Sequence, residues 1–345
     1  MKEFFFKGSN TQEEHHCHYL SPRGILQSCS FHNQFPKSSN PDPEIHHYNK
    51  DILKILKKED NVDDDTIPTI YVCNSALLYF VNHYALKIPY PYILVSGDSI
   101  QTIHRHTFGT ESLMTFLHHE NLVHWYCQNC ALQHPKITKL PLGVDYHTLS
   151  SEIPKDWGPQ MSPVDQEQQL IQIQKQSKPF WERQLKCYRN FQTDVPDFYQ
   201  YRQDRMDAIQ QIPQDLVWSE PKKVERNHTW KHQTEYAFVL SPHGNGMDCH
   251  RTWEALILGC IPIVKTSSID SLYDDLPVLI VNSWSDISPA LLEYTVQTFH
   301  RQHSDFNYDK LALSYWTEKI HSHSHSPTIH HHGDHGDHAT GFPKP

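Results

Sequence analysis

The most informative segment of the chain, residues 238–264, reads FVLSPHGNGMDCHRTWEALILGCIPIV. Its apolar start is typical of a buried strand, and Gly244 and Gly246 predict a loop whose backbone can approach a ligand closely. Asp248 is a favourable helix N-cap and Gly259 a favourable helix stop, so a helix is predicted between them. The apolar run after Gly259 predicts another strand. We therefore expect this segment to fold as strand, loop, helix and strand.

The N-terminus of that helix is a candidate anion site, because its free N–H groups open beside the end of the preceding strand. At about 100° per residue, Arg251 and Glu254 share one helix face, whereas Trp253, Leu256 and Ile257 lie on the opposite face. An arginine can grip a diphosphate through two parallel hydrogen bonds, and a glutamate can accept from ribose hydroxyls. A surface ion pair on an ordinary amphipathic helix is the alternative. The residues expected to form this nucleotide site are Ser241, His243, Gly244, Asn245, Gly246, Asp248, Arg251 and Glu254.

Strand-like and helical runs alternate on both sides of a polar stretch at 151–180, which is rich in Gln, Pro, Ser and Glu. Such alternation predicts parallel sheets with helical crossovers, so the expected fold class is α/β with two Rossmann-like domains facing a cleft. The strands are predicted at 69–73, 92–96, 122–126, 137–141, 184–191, 216–219, 236–241, 261–264 and 278–281. The predicted divisions are a loop-rich extension (1–66), a first domain (67–150), a linker (151–180), a second domain (181–305) and a disordered tail (321–345).

Composition excludes several classes of protein. The net charge is −10 with histidine neutral, and no basic stripe is present, so we expect no nucleic-acid partner. No apolar run is long enough to span a membrane, and the N-terminus lacks a signal-peptide core. The sequence as written predicts a cytoplasmic protein, whereas a truncated N-terminus would leave a Golgi-type location open. Many of the 28 histidines lie in the low-complexity tail, so they do not indicate catalysis.

The segment resembles the exostosin-like glycosyltransferases, which have the GT-B fold. The matching residues are Ser241, Gly244, Asp248, Arg251, Glu254, Ala255, Gly259 and Pro262. The resemblance implies transfer of a sugar, with inversion, from a nucleotide sugar to a hydroxyl of a glycan or glycoprotein; a UDP-sugar is the expected donor. It also implies no tightly bound cofactor, no essential metal, and a final helix at 306–320 that returns to the first domain.

A catalytic base is needed as the anomeric carbon gains oxocarbenium character. Asp98 is the candidate base because it follows a buried strand and should point into the cleft, although an aspartate in a simple turn fits the pattern as well. Asp145 and His147 are alternatives. Arg251 is the second candidate catalytic residue, since it would face the leaving diphosphate.

Other patterns have simpler interpretations. Cys127 and Cys130, with His134 nearby, suggest zinc only weakly, and core thiols or one redox pair are the preferred interpretation. The acidic run 63–65 matches an Asp-x-Asp metal motif but lies before the first strand, so we interpret it as a solvated loop. A solvated basic face is the preferred interpretation of Arg202, Arg205, Lys222, Lys223 and Arg226, although Arg205 could reach the diphosphate.

Three alternative functions stay open. A protein of the same fold could bind nucleotide sugars or glycans without transferring them, since fold does not fix function. A fucosyltransferase-like GT-B enzyme is an alternative of the same class. The histidine-rich tail could instead make the chain a metal-sequestering protein.

Overall fold

The computed structural model of the chain describes residues 14–32, 66–99, 101–151, 156–195 and 200–324. Within these ranges the chain forms two fully parallel sheets and eleven α-helices. This confirms the predicted α/β class. The acidic run at 63–65 and the part of the predicted tail beyond 324 lie outside the described residues.

In the first sheet the strands lie in the order of the sequence, and each strand pairs with the next one along the chain. Its strands are β1 (Thr69–Cys73), β2 (Tyr92–Gly97), β3 (Leu122–Gln128) and β4 (Ile137–Leu140). The helices of this half are α1 (Pro22–Gln27), α2 (Asn74–His83), α3 (Arg105–Phe108) and α4 (Thr110–His118). Strands β1 and β2 are buried along their whole length. Near-continuous apolar runs are expected where helices or other segments cover both faces of a parallel sheet.

The second sheet has the order β6-β5-β7-β8-β9. Its strands are β5 (Gln184–Arg189), β6 (Val217–Ser219), β7 (Tyr236–Leu240), β8 (Ile261–Lys265) and β9 (Leu279–Val281). The remaining helices are α5 (His147–Ser150), α6 (Pro163–Gln176), α7 (Arg202–Gln211), α8 (Arg226–Gln233), α9 (His250–Ile257), α10 (Pro289–Arg301) and α11 (Leu313–Ser322). Because the chain order reverses between β5 and β7, a crevice forms at their carboxyl ends, where open α/β sheets bind ligands.

The helix α8 was not predicted. Only Trp230 and Gln233 are buried in it, so its sequence lacks the apolar periodicity on which the prediction of a helix depends. Its first residue, Arg226, carries a contact to the first half of the molecule that is described below.

Residues 14–32 are more ordered than the loop-rich extension that the sequence predicted, since they include helix α1 and contacts with distant parts of the chain. Ser21 caps α1 by accepting a hydrogen bond from the Gly24 N–H, and Pro22 occupies the first turn. The backbone of Leu20 joins distant parts of the chain: its N–H donates to the Leu311 carbonyl and its carbonyl accepts from the Val144 N–H.

The last helix, α11, lies against the first sheet. Its Trp316 and Ile320 share one apolar cluster with Leu20 and Ile25 of the N-terminal segment and with Val95 of β2. Tyr126 of β3 donates its hydroxyl to the Lys319 carbonyl at 2.8 Å. Among the described residues, no helix combines the length and the apolar character that crossing a membrane requires.

Candidate functional site

A cavity of about 270 Å³ lies where the two halves of the molecule meet, at the carboxyl ends of the strands. Its walls include Asp98, Asn129 and His147 from the first half and Gly244, Gly246 and Arg251 from the second. The structure therefore brings the predicted base candidate Asp98 and the predicted nucleotide-binding loop to the same cavity. This position is where open α/β sheets bind ligands.

Two residues of the first half hold an unusual backbone conformation at the rim of this cavity. Asp98, directly after β2, has φ +45°, and Asn129, directly after β3, has φ +49°. Left-handed conformations of residues other than glycine cost about 1–3 kcal/mol each and concentrate at ligand-binding positions. The Gln128 side chain supports the first of them, because its Oε1 accepts the Asp98 N–H at 3.0 Å.

The loop between β7 and α9 packs directly on Asn129. A Cβ atom on Gly246 would lie 2.7 Å from the Asn129 Oδ1, so no other residue fits there without displacing the side chain. Asn129 Oδ1 also accepts the Asp248 N–H at 2.8 Å. The close approach predicted at this glycine is thus made by the opposite half of the protein.

The role expected of Asp248 as a helix N-cap is wrong. The N-cap of α9 is Cys249, and the Asp248 carboxylate instead accepts from the Leu142 N–H of the first half at 2.7 Å and from the Trp253 indole at 2.9 Å. Burial raises the pKa of Asp248 to about 6, although the hydrogen bonds from Leu142 and Trp253 lower it. Asp248 therefore joins the two halves beneath the loop. The predicted helix stop is present, since Gly259 has φ +71°.

Two arginines converge at the junction of this cavity with a second one of about 280 Å³. Arg251 donates to the Pro242 carbonyl at 2.9 Å, its guanidinium lies 5.4 Å from the centre of the Phe191 ring, and its buried Nε has no hydrogen-bond partner. Arg205 donates to the carbonyls of His243 and Gln192. Burial lowers the pKa of Arg251, so this guanidinium is poorly solvated. An unpartnered donor beside a second guanidinium is an arrangement that an anion would stabilise.

Glu254 lines the second cavity together with Arg251, as the helical spacing predicted. Its Oε2 accepts the indole N–H of Trp230 at 3.0 Å. The side chain is largely buried, so the pair is not an ordinary solvated ion pair on a helix surface. The indole fixes one carboxylate oxygen of Glu254 at the wall of the cavity.

Asp145 is tied to the second half by an ion pair. Arg226 donates to the Asp145 backbone carbonyl and, at 2.6 Å, to its carboxylate. Burial works to raise the pKa of Asp145, but the neighbouring His147 and Arg226 hold it well below its usual value. Because burial also lowers the pKa of His147 to about 4, that ring is neutral at pH 7, and Arg226 is the effective partner there.

His147 lies beside this pair and faces the first cavity. Its Nδ1 is 3.1 Å from Asp145 Oδ1 and is buried, whereas 19 % of its side chain stays exposed. The exposed part leaves Nε2 as the nitrogen that a ligand could reach. A neutral imidazole can accept a proton at that position.

Asp98 has a different environment. Its carboxylate lies 3.7 Å from Arg23 Nε, and its side chain is only 1 % exposed. Both carboxylate oxygens are buried without a hydrogen-bond partner. Asp98 contributes to the cavity wall, but its carboxylate is covered and neutralised by a charge from the N-terminal segment.

Asp145, His147 and His250 lie close enough together to hold a metal ion. Their surroundings oppose this, because the Arg226 guanidinium already occupies one oxygen of Asp145 and Arg23 adds a further positive charge near His147. The His250 Nδ1 is engaged with the Gly143 carbonyl at 2.7 Å. The charges around this group suit an anionic ligand better than a cation.

Some predicted residues lie away from the cavities. Ser241 is buried and bonded to the Thr252 hydroxyl at 2.8 Å. The backbone N–H of His243 donates to Asp204 at 2.8 Å. Cys127 and Cys130 are buried free thiols, in keeping with their interpretation as core residues.

Several residues of the site were missed or misjudged. Arg205 and Arg226 are buried or half-buried and paired, so the solvated basic face predicted for them is wrong. No sequence pattern indicated a role for Arg23 or Trp230, because their roles depend on contacts with residues far away in the chain. Sequence spacing reports neighbours within one element, and these contacts cross between elements.

Neither a scan against protein-family models nor a search of curated proteins finds a match for the chain. The resemblance to exostosin-like transferases therefore rests on the motif residues themselves.

Proposed function

We propose that the protein is an inverting glycosyltransferase that uses a nucleotide sugar, with a UDP-sugar as the expected donor and a glycan or glycoprotein hydroxyl as the acceptor. The observation that carries this proposal is that Arg251 and Glu254 line one cavity, which shares Arg205 and Arg251 with the cavity that His147 lines. Two parallel-sheet halves facing a cleft are also the layout of GT-B transferases, which the motif resembles.

The donor is expected to lie along α9. Arg251 and Arg205 would neutralise the diphosphate, with the unpartnered Arg251 Nε turned to it. Glu254, one helical turn further on, would accept from the ribose hydroxyls through the carboxylate oxygen that Trp230 leaves free. No cation is required in this arrangement, since the leaving charge forms beside two guanidinium groups.

The acceptor is expected in the first cavity. Its hydroxyl oxygen would attack the anomeric carbon while the bond from that carbon to the diphosphate oxygen breaks. The hydroxyl proton would pass to the base, and the electron pair of the broken bond would remain on the diphosphate. Inversion requires the acceptor and the diphosphate to lie on opposite sides of the sugar ring.

The exposure of the side chains favours His147 as the base. Asp98 stays a candidate, but its carboxylate is covered and paired with Arg23, and Asp145 is paired with Arg226. An ion-paired carboxylate is a weaker base than a free one, because proton uptake must break the ion pair. His147 is neutral at pH 7 and partly exposed; although burial lowers its pKa to about 4, its proton uptake breaks no ion pair with an arginine.

A thermal-shift screen against UDP, GDP and CMP tests the donor site. A ligand that binds only the folded state raises the melting temperature, by about 2.7 kcal/mol of stabilisation at 100-fold excess over Kd. We expect one nucleotide to raise it for the wild type and for Arg301→Ala, a control on the exposed end of α10, and not for Arg251→Ala. Equal shifts for all three proteins would contradict the proposal.

A non-catalytic protein that binds nucleotide sugars is the second candidate. The pairing of both acidic base candidates with arginines favours it, since each carboxylate already has a guanidinium as its counter-ion. Release of free nucleotide from a donor sugar, with or without an acceptor glycan, distinguishes the two functions. A protein that binds nucleotide and never releases it from the sugar has the second function.

A further inference from the structure

A second group of potential metal ligands lies away from both cavities of the candidate site. Glu220 follows strand β6, and His228 and His232 lie one turn apart on helix α8. Glu220 Oε1 is 2.8 Å from His232 Nδ1 and 3.8 Å from His228 Nε2. The three ligand atoms all lie within 4.8 Å of one another.

These distances fit a tetrahedral zinc ion. Zinc lies about 2.0–2.1 Å from histidine nitrogens and about 2.0–2.2 Å from carboxylate oxygens, so neighbouring ligand atoms of a tetrahedron are about 3.3 Å apart. The two measured separations, 2.8 and 3.8 Å, fall on either side of this value. A shift of Glu220 Oε1 by about half an ångström, away from His232 and towards His228, would equalise them.

The surroundings also suit a metal site. The Tyr188 hydroxyl donates to Glu220 Oε1 at 2.9 Å and so orients the carboxylate, as outer-sphere hydrogen bonds do at known metal centres. Only 11 % of the Glu220 side chain is exposed, whereas the two imidazoles are 47 % and 32 % exposed. An ion can therefore arrive from solvent, and a fourth position stays open to water.

We propose that Glu220, His228 and His232 form a site for Zn²⁺ or a similar borderline divalent cation. It differs from the group at Asp145, where an arginine already occupies the carboxylate. Binding at His232 Nδ1 uses the lone pair of that nitrogen, so the proton of the neutral ring must sit on Nε2; a ring that donates from Nδ1 to Glu220 exchanges its proton through solvent, with no net release. The ion then links the end of β6 to α8.

That link would reach the candidate active site. Helix α8 also carries Arg226, which holds Asp145, and Trp230, which holds Glu254. The ion would thus stiffen helix α8, which positions Asp145 and Glu254, without contacting either of these two residues. Its effect on binding would be indirect, and its own affinity can be measured without any sugar donor.

Calorimetric titration of the full chain with Zn²⁺ alone tests the proposal. The matched pair is His228→Ala/His232→Ala against His300→Ala/His303→Ala, whose exposed histidines belong to no potential metal site among the residues that the structure describes. Both double variants keep the histidines of the C-terminal segment, so any binding there is common to them. We expect the first variant to lose one high-affinity ion per chain and the second to bind as the wild type does.

Two milder variants keep the test decisive if the first does not fold. Glu220→Gln should weaken the affinity at this site by about 10-fold or more, and Tyr188→Phe, which keeps the ring, should weaken it by about 10-fold, the low end of losses from outer-sphere substitutions. Zn²⁺ should also raise the melting temperature of the wild type and the control but not of the site variant. Equal titrations for the site and control variants would overturn the proposal.

Discussion

Arg23 and Asp98 form a buried contact, with 3.7 Å between the guanidinium Nε and a carboxylate oxygen. The arginine belongs to the N-terminal segment and the aspartate to the end of β2, so the pair fixes that segment to the rim of the cleft. Because both side chains are removed from water, loss of the Asp98 charge removes the largest of the negative charges that act on Arg23, ahead of those of Glu14 and Asp145. Substitutions in this pair can therefore distinguish a role of Asp98 in stability from a role in catalysis.

Asp98→Asn is expected to destabilise the protein. Removing one partner of a buried ion pair typically costs about 3–5 kcal/mol, because the remaining charge is uncompensated. Urea unfolding would measure the loss, and the double variant Arg23→Met/Asp98→Asn should recover part of it. If Asp98→Asn keeps its stability and loses turnover by about 10²-fold or more, Asp98 is the base instead.

His147→Asn is expected to lower turnover by about 10²–10⁴-fold with little change in donor affinity, since loss of a general base has effects of this size. Burial lowers the pKa of His147 to about 4, so activity should be flat near neutral pH and fall as the pH drops towards 4. Rates of nucleotide release between pH 5 and 8 would show the flat region. A variant with unchanged turnover would return the role to one of the two aspartates.

Arg251→Ala is expected to lower turnover by about 10²-fold or more, because negative charge builds on the diphosphate as the glycosidic bond breaks. Arg251→Lys should recover only part of the rate, since an ammonium cannot form the two parallel hydrogen bonds of a guanidinium. Steady-state kinetics on a panel of UDP-sugars would measure both. Full activity of the lysine variant would argue against two-pronged contact with the diphosphate.

Glu254→Gln is expected to raise the Michaelis constant for the donor with a smaller effect on turnover. The ribose does not change during the reaction, so its contacts contribute equally to the ground state and the transition state. Trp230→Phe should reproduce part of this effect, because it removes the indole that fixes the Glu254 carboxylate. Circular dichroism would confirm that both variants fold; a loss of turnover alone would assign Glu254 to the chemical step.

Glu14→Gln is expected to change how stability depends on pH. Burial raises the pKa of Glu14 from 4.5 to about 7, although Arg23 and Ser21 lower it in part. Its folded pKa is the higher one, so the stability that it contributes is complete below pH 4.5 and is lost as the pH rises through 7. The stability of the glutamine variant relative to the wild type should therefore rise between pH 4.5 and pH 7 and stay at the higher level at pH 8. Melting temperatures across this range, with Glu293→Gln on the exposed face of α10 as the control, would measure the difference.

The strands could be predicted closely because each is a short apolar run between turn residues. Residues 69–73, for example, were predicted as a strand and form β1. The faces of α9 were also predictable, since helical spacing alone places Arg251 beside Glu254. The partners of Glu254 and Asp145 were not predictable, because Trp230 and Arg226 lie on a polar helix without apolar periodicity. The prediction for Asp248 was wrong for a similar reason. Its local pattern fits a helix cap, but its carboxylate accepts a hydrogen bond from the Leu142 N–H of the other half.

The contacts of Leu20 bear on how the protein is made. Its backbone joins the first half to Leu311, and α11 closes over the first sheet through Tyr126. The first half is translated early, yet the apolar cluster on one face of its sheet lacks Trp316 and Ile320 until α11 has left the ribosome. During that interval a nascent chain exposes apolar surface of the kind that chaperones bind. Removal of α11 would thus destabilise the first half, which is the half of the protein that is synthesised earliest.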